Sequence, residues 1–195
     1  MNWGDRLFED GIIKRHIYKE AFNKIKREDF LPHEMKKYSN ADEPIPLFLD
    51  QTQTAPHMDA IFMEEALINE EDKVLEVGTG SGYLTALLAE VSKKVISIEF
   101  FKELSHFARR NLEKYHFRNL DLIVADFYKL CMKLKFDKII ITAAVPEIPW
   151  FIQDMISPDG ITIFPLGRSI PQKLIRLKNG KIENLGPVYF VNIIH

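Results

Sequence analysis

Residues 74–83 read VLEVGTGSGY. A short apolar run ends in three alternate glycines, Gly78, Gly80 and Gly82, and leads into Leu84, Leu87 and Leu88 at helical spacing. The pattern is a buried strand, a tight turn and the start of a helix. Glycine allows positive φ and lets backbone amides come close to a ligand. A loop of this kind could serve a dinucleotide or S-adenosylmethionine. The dinucleotide fingerprint G-x-G-x-x-G would put its third glycine at position 83. That position is Tyr83, and the third glycine comes one residue early, at Gly82. The plainer alternative is a turn with no ligand, and three alternate glycines after an apolar strand argue against it.

Outward from this block, the chain alternates strands with helices. Segments 73–77, 94–99, 120–124, 136–142 and 161–165 read as strands; 83–91, 102–115 and 150–156 read as helices. Ile139, Ile140 and Ile141 in a row imply burial on both faces, as in a central parallel strand. Two last strands, 172–177 and 187–194, are expected to join through Asn179-Gly180. Such alternation with short connections predicts a doubly wound α/β domain. Its ligand should lie beyond the carboxyl ends of the strands, at the switch in strand order. Glu99 ends the second strand, where a carboxylate can accept from a ribose diol. Nicotinamide enzymes share that feature, so it does not select the cofactor. Asp126, just past the third strand, is placed to meet an adenine amino group, or is simply an acidic loop residue.

Before residue 73 the pattern differs. Residues 1–38 read as short amphipathic helices, with Leu7, Ile12 and Ile13 on one and Ile17, Ala21, Phe22 and Ile25 on the next. Segment 41–56 holds Pro44, Pro46 and Pro56 and should be extended or turned. A helix is expected over 57–67.

Composition narrows the class. The chain has 195 residues, enough for one domain with a real core. A net charge of −2 is no footprint for nucleic acid or an anionic membrane surface. The one cysteine, Cys131, suits a reducing compartment and reads as a buried, inert thiol. The first residues, MNWGDRLFEDG, carry acids where a signal peptide has an apolar stretch. No apolar run nears the roughly 20 residues needed to cross a bilayer. The expected location is the cytoplasm.

Several separated blocks, in order, resemble the protein-L-isoaspartate (D-aspartate) O-methyltransferase family. They are REDFLPHE (27–34), DEPIPLFLDQTQTAPHM (42–58), VLEVGTGSGYLTALLAE (74–90), FDKIIITAAVPEIP (136–149) and ISPDGITIFPLG (156–167). The glycine block alone would say only methyltransferase; the APHM and TAAVPEIP blocks are more specific. The resemblance implies a Rossmann-like class I methyltransferase fold: a mostly parallel seven-stranded sheet with an N-terminal helical part. It implies one domain over 1–195, with 1–72 as helical part and substrate segment and 73–195 as cofactor-binding core. The implied cofactor is S-adenosylmethionine, and the implied substrates are damaged proteins and peptides carrying L-isoaspartyl or D-aspartyl residues. By position, Thr52, Gly78, Thr79, Gly80, Ser81, Glu99, Phe100, Asp126 and Phe127 would bind the cofactor. Thr54 takes the place of the family's active-site serine, with Gln53, Ala55, His57 and Val191 beside the substrate. A monomer is the family default.

An isoaspartyl linkage leaves the α-carboxylate free, and that group is already ionised near neutral pH. The site therefore needs alignment rather than a general base, which fits the lack of a convincing Ser-His-Asp or Cys-His pattern and of a zinc-like cluster in the sequence. Departures from the family gather near the ligands. Thr54 keeps the hydroxyl but adds a methyl that stiffens χ1. Asp50 replaces a common glycine, and Gln53 stands where isoleucine is usual. Ala125-Asp126-Phe127 replaces Gly-Asp-Gly, and FVNII replaces a pattern like FVPL near the end. They leave two alternatives open: a related methyltransferase acting on another carboxylate or small molecule, or an inactive cofactor-binding module.

Overall fold

The computed structural model describes residues 2–130 and 133–194, so the reading of Cys131 lies outside the described residues. Seven strands form the main sheet: β3 (Lys73–Val77), β4 (Lys94–Glu99), β5 (Leu120–Val124), β6 (Phe136–Ile141), β7 (Ile156–Leu166), β8 (Gln172–Lys178) and β9 (Lys181–Val188). Their spatial order is β5-β4-β3-β6-β7-β8-β9. Pairings from β5 to β7 are parallel, and those of β8 and β9 are antiparallel. Strand order runs outward from β3 to β5 and then jumps back to β6. The switch point is therefore the gap between the ends of β3 and β6.

Both faces of the parallel strands are buried. Val74, Val95 and Ile140 point into one apolar cluster; Leu75, Ile96, Ile139 and Ile141 point into the other. Successive residues alternate between faces, so an unbroken isoleucine run must be covered on both sides. The first cluster also takes in α4 (Tyr83–Val91) and the N-terminal helices α1 (Trp3–Glu9), α2 (His16–Lys24) and α3 (Pro56–Ala66). Helix α3 packs on the β6 and β7 side of the sheet, while α5 (Lys102–Glu113) packs on β4 and β5. Between α2 and α3 lie 3-10 turns at Arg27–Phe30 and His33–Tyr38 and a small hairpin, β1 (Ile45–Pro46) with β2 (Thr52–Gln53). None of the helices is long and apolar enough to cross a membrane, among the described residues.

Three sequence expectations change. Helix α1 stops at Glu9, and Gly11 at φ 70° turns the chain, so Ile12 and Ile13 lie beyond the helix. Ile13 is nonetheless buried. The expected helix over 150–156 shrinks to α6 (Ile152–Met155), and β7 starts at once at Ile156. Between Ile156 and Ile161 the strand bulges away from β6. Pro158 has no N–H for the ladder, and a bulge is where a strand tolerates that.

The third change is the last strand, which begins at Lys181 rather than at 187. Asn179 (φ 50°) and Gly180 (φ 71°) form a two-residue turn that forces pairing immediately on its far side. The mainly exposed Lys181–Asn184 stretch showed no apolar signal in sequence because β9 is an edge strand. Residues 189–194 leave the sheet and fold back over its switch point. There, backbone bonds join Ala144 N–H to Val191 O (2.8 Å) and Ile193 N–H to Ala144 O (2.9 Å).

Fully buried Ile140 and 58% exposed Ile182 should respond very differently to truncation. Ile140→Ala is expected to cost about 2–5 kcal/mol, whereas Ile182→Ala should stay within about 1 kcal/mol. Urea denaturation of both variants reads this directly, and equal losses would contradict the core placement.

Candidate active site

The turn after β3 is held from several sides. Gly78 sits at φ 101°, and a Cβ there would lie 2.3 Å from Thr142 Oγ1. That hydroxyl donates to the carbonyls of Val77 (3.1 Å) and Gly78 (2.9 Å), tying the end of β3 to the residue after β6. Only glycine meets both the positive φ and the lack of space. Gly82, at φ 89°, is the N-cap of α4, and a Cβ on it would press on Leu112 and Ala108 of α5. Asn111 Nδ2 donates to the Ser81 carbonyl at 2.9 Å.

Glu99 closes the turn from the β4 side. It is 5% exposed, and its carboxylate accepts from the N–H groups of Gly80 (2.9 Å) and Phe101 (3.0 Å). Burial pushes its pKa up against those hydrogen bonds. Beneath the turn, the side chains of Thr79 and Ser97 hydrogen-bond at 2.6 Å. Ser97 and Thr85 both donate to one oxygen of fully buried Glu76, each at 2.5 Å. Burial dominates there and raises Glu76 to about 8 despite the two hydroxyl donors.

Around the turn lies a crevice of about 910 Å³, counting space open to solvent. Its walls follow the ends of successive strands. Ala125 and Phe127 follow β5, Glu99 and Phe100 close β4, Gly78–Ser81 follow β3, and Thr142 and Ala143 follow β6. Beyond them are the hairpin residues Thr52, Gln53 and Thr54, then Asp59, Tyr83 and the returning segment 190–194. Gln172 fixes that segment by a reciprocal pair with the Phe190 backbone, 3.0 Å each way.

Most residues singled out in the sequence converge on this crevice: Thr52, Gln53, Thr54, Gly78, Thr79, Gly80, Ser81, Glu99, Phe100, Phe127 and Val191 all line it. Several do so differently from a simple ligand contact. The Thr79 hydroxyl is spent on Ser97, so only its backbone is left for a ligand. Gln53 is buried; its Oε1 accepts from Arg27 Nε (2.9 Å) and its Nε2 donates to Ser81 Oγ (2.8 Å). Asp126 is not among the lining residues. Its carboxylate accepts from the Tyr128 N–H (3.0 Å) and pairs with Lys129 (2.9 Å), capping the 3-10 turn Phe127–Lys129. Ala55 and His57 also stand outside the lining. His57 Nδ1 lies 2.9 Å from Asp42, which also accepts the His57 backbone N–H at 3.1 Å, so this histidine anchors the start of α3.

Three residues were not anticipated. Arg27, 2% exposed, gives its guanidinium to Gln53 and to the carbonyls of Ala41, Glu43 (2.8 Å) and Thr54 (3.1 Å). It thereby shapes the backbone on either side of the hairpin. The other two, Asp59 and Tyr83, are buried polar residues in the crevice wall. Asp59 did carry a signal: with Phe62, Met63 and Ala66 it makes an i, i+3, i+4, i+7 stripe on the buried face of α3. Arg27 carried none, because its partners are main-chain carbonyls and a distant side chain.

Comparison with known proteins agrees with the geometry. A family model for protein-L-isoaspartate (D-aspartate) O-methyltransferases matches residues 4–195. The protein-L-isoaspartate O-methyltransferase of Pyrococcus horikoshii is 42% identical over 97% of this chain and 90% of its own length. Protein-L-isoaspartate O-methyltransferase 2 of Archaeoglobus fulgidus is 40% identical over 96% and 89%. A Plasmodium falciparum chain assigned to the same enzymes, crystallised with S-adenosyl-L-homocysteine, superposes with a TM-score of 0.87 at 23% identity. It covers 100% of this chain and 99% of its own, which establishes the shared fold.

Glu76 makes stability depend on pH. Its folded value of about 8 exceeds its ordinary 4.5. The unfolded chain thus releases this proton more readily, and the stability Glu76 contributes is complete below about 4.5 and lost as pH rises through about 8. Glu76→Gln should remove this part of the pH dependence, so its stability relative to the parent should be higher at pH 8 than at pH 5. Denaturant titrations of both proteins at the two pH values test this; a constant difference would contradict it.

Proposed function

Because the chain belongs to the protein-L-isoaspartate (D-aspartate) O-methyltransferase family, we propose that it methylates the free α-carboxylate of L-isoaspartyl or D-aspartyl residues in aged proteins and peptides, using S-adenosylmethionine. The observation that carries this reading is the run of the crevice across four strand ends, from Phe127 past Glu99 and the glycine turn to Thr54. The donor set fits a nucleoside with an amino-acid tail. It offers an aromatic wall at Phe127, a carboxylate at Glu99 for a ribose diol, and main chain approachable at Gly78 and Gly80.

When bound, S-adenosylmethionine supplies an electrophilic methyl, which passes to a carboxylate oxygen as its bond to sulfur breaks and leaves the electron pair on sulfur. The protein's share is placement. Glu99 orients the ribose through charge-assisted hydrogen bonds. Thr54, with adjacent main-chain amides, holds the substrate carboxylate. Arg27 fixes Thr54 through its carbonyl rather than its hydroxyl, which leaves the side chain facing the crevice free for that task. No residue need remove a proton, since the attacking group is already an anion. Holding both partners in near-attack geometry is worth up to about 7–11 kcal/mol in favourable cases.

The family departures are compatible with this activity. Gln53, which the resemblance put beside the substrate, lines the crevice and also braces the glycine turn through its hydrogen bonds with Arg27 and Ser81. Asp50 sits at the exposed tip of the β1–β2 hairpin at φ 57°, outside the crevice lining, so its charge is in high-dielectric surroundings.

The decisive assay pairs an isoaspartyl peptide with its normal aspartyl counterpart and follows labelled methyl transfer. Labelling is expected only on the isoaspartyl peptide; equal labelling, or none, would overturn the reading. Thr54→Val keeps the side-chain shape and deletes the hydroxyl. Turnover should fall by about tenfold or more while cofactor affinity holds, as for a lost hydrogen bond to a charged group. Unchanged turnover would remove Thr54 from the mechanism.

A further inference from the structure

We infer that Asp59 receives the α-ammonium of the cofactor's methionine moiety. The inference rests on the methyltransferase reading above and assigns a residue that reading leaves unused. Asp59 is 1% exposed and lines the crevice. Neither of its carboxyl oxygens has a hydrogen-bond partner among the described residues. A buried carboxyl left this way costs free energy in either protonation state, and the cost is offset when a donor arrives. The crevice into which it faces is where such a donor can enter.

Its position selects the donor. Glu99 and Phe127 lie at the β4–β5 side of the glycine turn, where the ribose and base would be. Asp59 is carried by α3, which packs on β6 and β7, the opposite side of the same turn. A nucleoside with its ribose at Glu99 therefore extends its amino-acid tail toward Asp59. That tail carries one ammonium and one carboxylate, and a carboxyl with free acceptor oxygens complements the ammonium.

Arg27, in the 3-10 turn before the hairpin, is the competing cation that acts on Asp59. It is engaged by Gln53 and three main-chain carbonyls and makes no ion pair with Asp59 among the described residues. The other groups facing Asp59 are Glu76 on β3, Asp42 from the segment before β1, and Tyr83 on α4. The two carboxyl groups among them, if charged, add to the burial that holds the Asp59 carboxyl well above the ordinary carboxylate range, and only Arg27 opposes them. Without cofactor, Asp59 therefore keeps its proton to higher pH than a surface carboxyl. Pairing with an ammonium favours the charged form, so binding drives the proton off to solvent. The sign follows: affinity for the amino-acid tail rises with pH as Asp59 in the empty crevice deprotonates.

Calorimetric titration separates the possibilities, using S-adenosylmethionine, S-adenosylhomocysteine and 5′-methylthioadenosine, which lacks the amino-acid tail. In buffers of different ionisation enthalpy, over a series of pH values, the parent protein should release protons on binding S-adenosylhomocysteine. Asp59→Asn should reduce that release and weaken both tailed ligands by about tenfold or more, as for a lost charge-assisted hydrogen bond. Binding of 5′-methylthioadenosine should not change, which also reports that the variant's crevice is folded. Equal affinity of the two proteins for S-adenosylhomocysteine would overturn the inference. So would loss confined to S-adenosylmethionine, which would assign Asp59 to the sulfonium, or equal loss on all three ligands, which would make it a packing residue. A parent protein that binds none of the three would sink the methyltransferase reading and this inference with it.

Discussion

The turn from Gly78 to Gly82 admits almost no change, and the site is built around that constraint. Thr142 presses on Gly78 so closely that a single methyl group would collide with its hydroxyl. The same hydroxyl joins the ends of β3 and β6 across the point where strand order reverses. A switch point leaves a gap between diverging connections. Here residues 78–81 of the turn form one wall of the gap, and at Gly80 no side chain fills it. The crevice is thus a consequence of topology and of a turn whose glycines let Thr142 and α5 pack against it.

A second line of support reaches the turn from the N-terminal part. Arg27 is buried, and a buried guanidinium without full hydrogen bonding would be strongly destabilising. Its donors meet three main-chain carbonyls and Gln53, and Gln53 passes the connection to Ser81. One charged side chain thereby fixes the hairpin, the backbone of Thr54 and the cofactor turn relative to each other. This accounts physically for Gln53 at a position where the family usually has isoleucine: an amide can join two polar partners that an alkyl side chain would only pack against.

Three buried carboxyl groups stand close together and differ in how they are satisfied. Glu76 takes two hydroxyl donors at one oxygen, Glu99 takes two backbone amides, and Asp59 takes none among the described residues. Glu76 is spent on holding the sheet and Glu99 on holding the turn while facing the crevice. Asp59 alone has both oxygens free for whatever enters. Burial raises the pKa of all three, so their combined charge depends on what occupies the crevice.

Periodicity was enough for the doubly wound α/β class, and the family resemblance supplied the seven-stranded sheet. The isoleucine run, the alternating strands and helices, and the glycine spacing each report local geometry, which a chain carries in its own order of residues. The same holds for part of the crevice: Gly78, Gly80 and Glu99 sit at strand ends that local pattern can locate, whereas Thr54 was pointed to only by the family resemblance. The limits lay where neighbours distant in sequence decide. An edge strand such as β9 needs no apolar face, and the helix expected before β7 gave way to the strand's pairing with β6. Folding alone joined Gln53 to Arg27 and Ser81, tied His57 to Asp42, and set Asp59, unpartnered among the described residues, in the crevice wall. Which hydrogen bonds a buried polar side chain makes, or lacks, depends on segments brought together only in the folded state, and no local pattern encodes that.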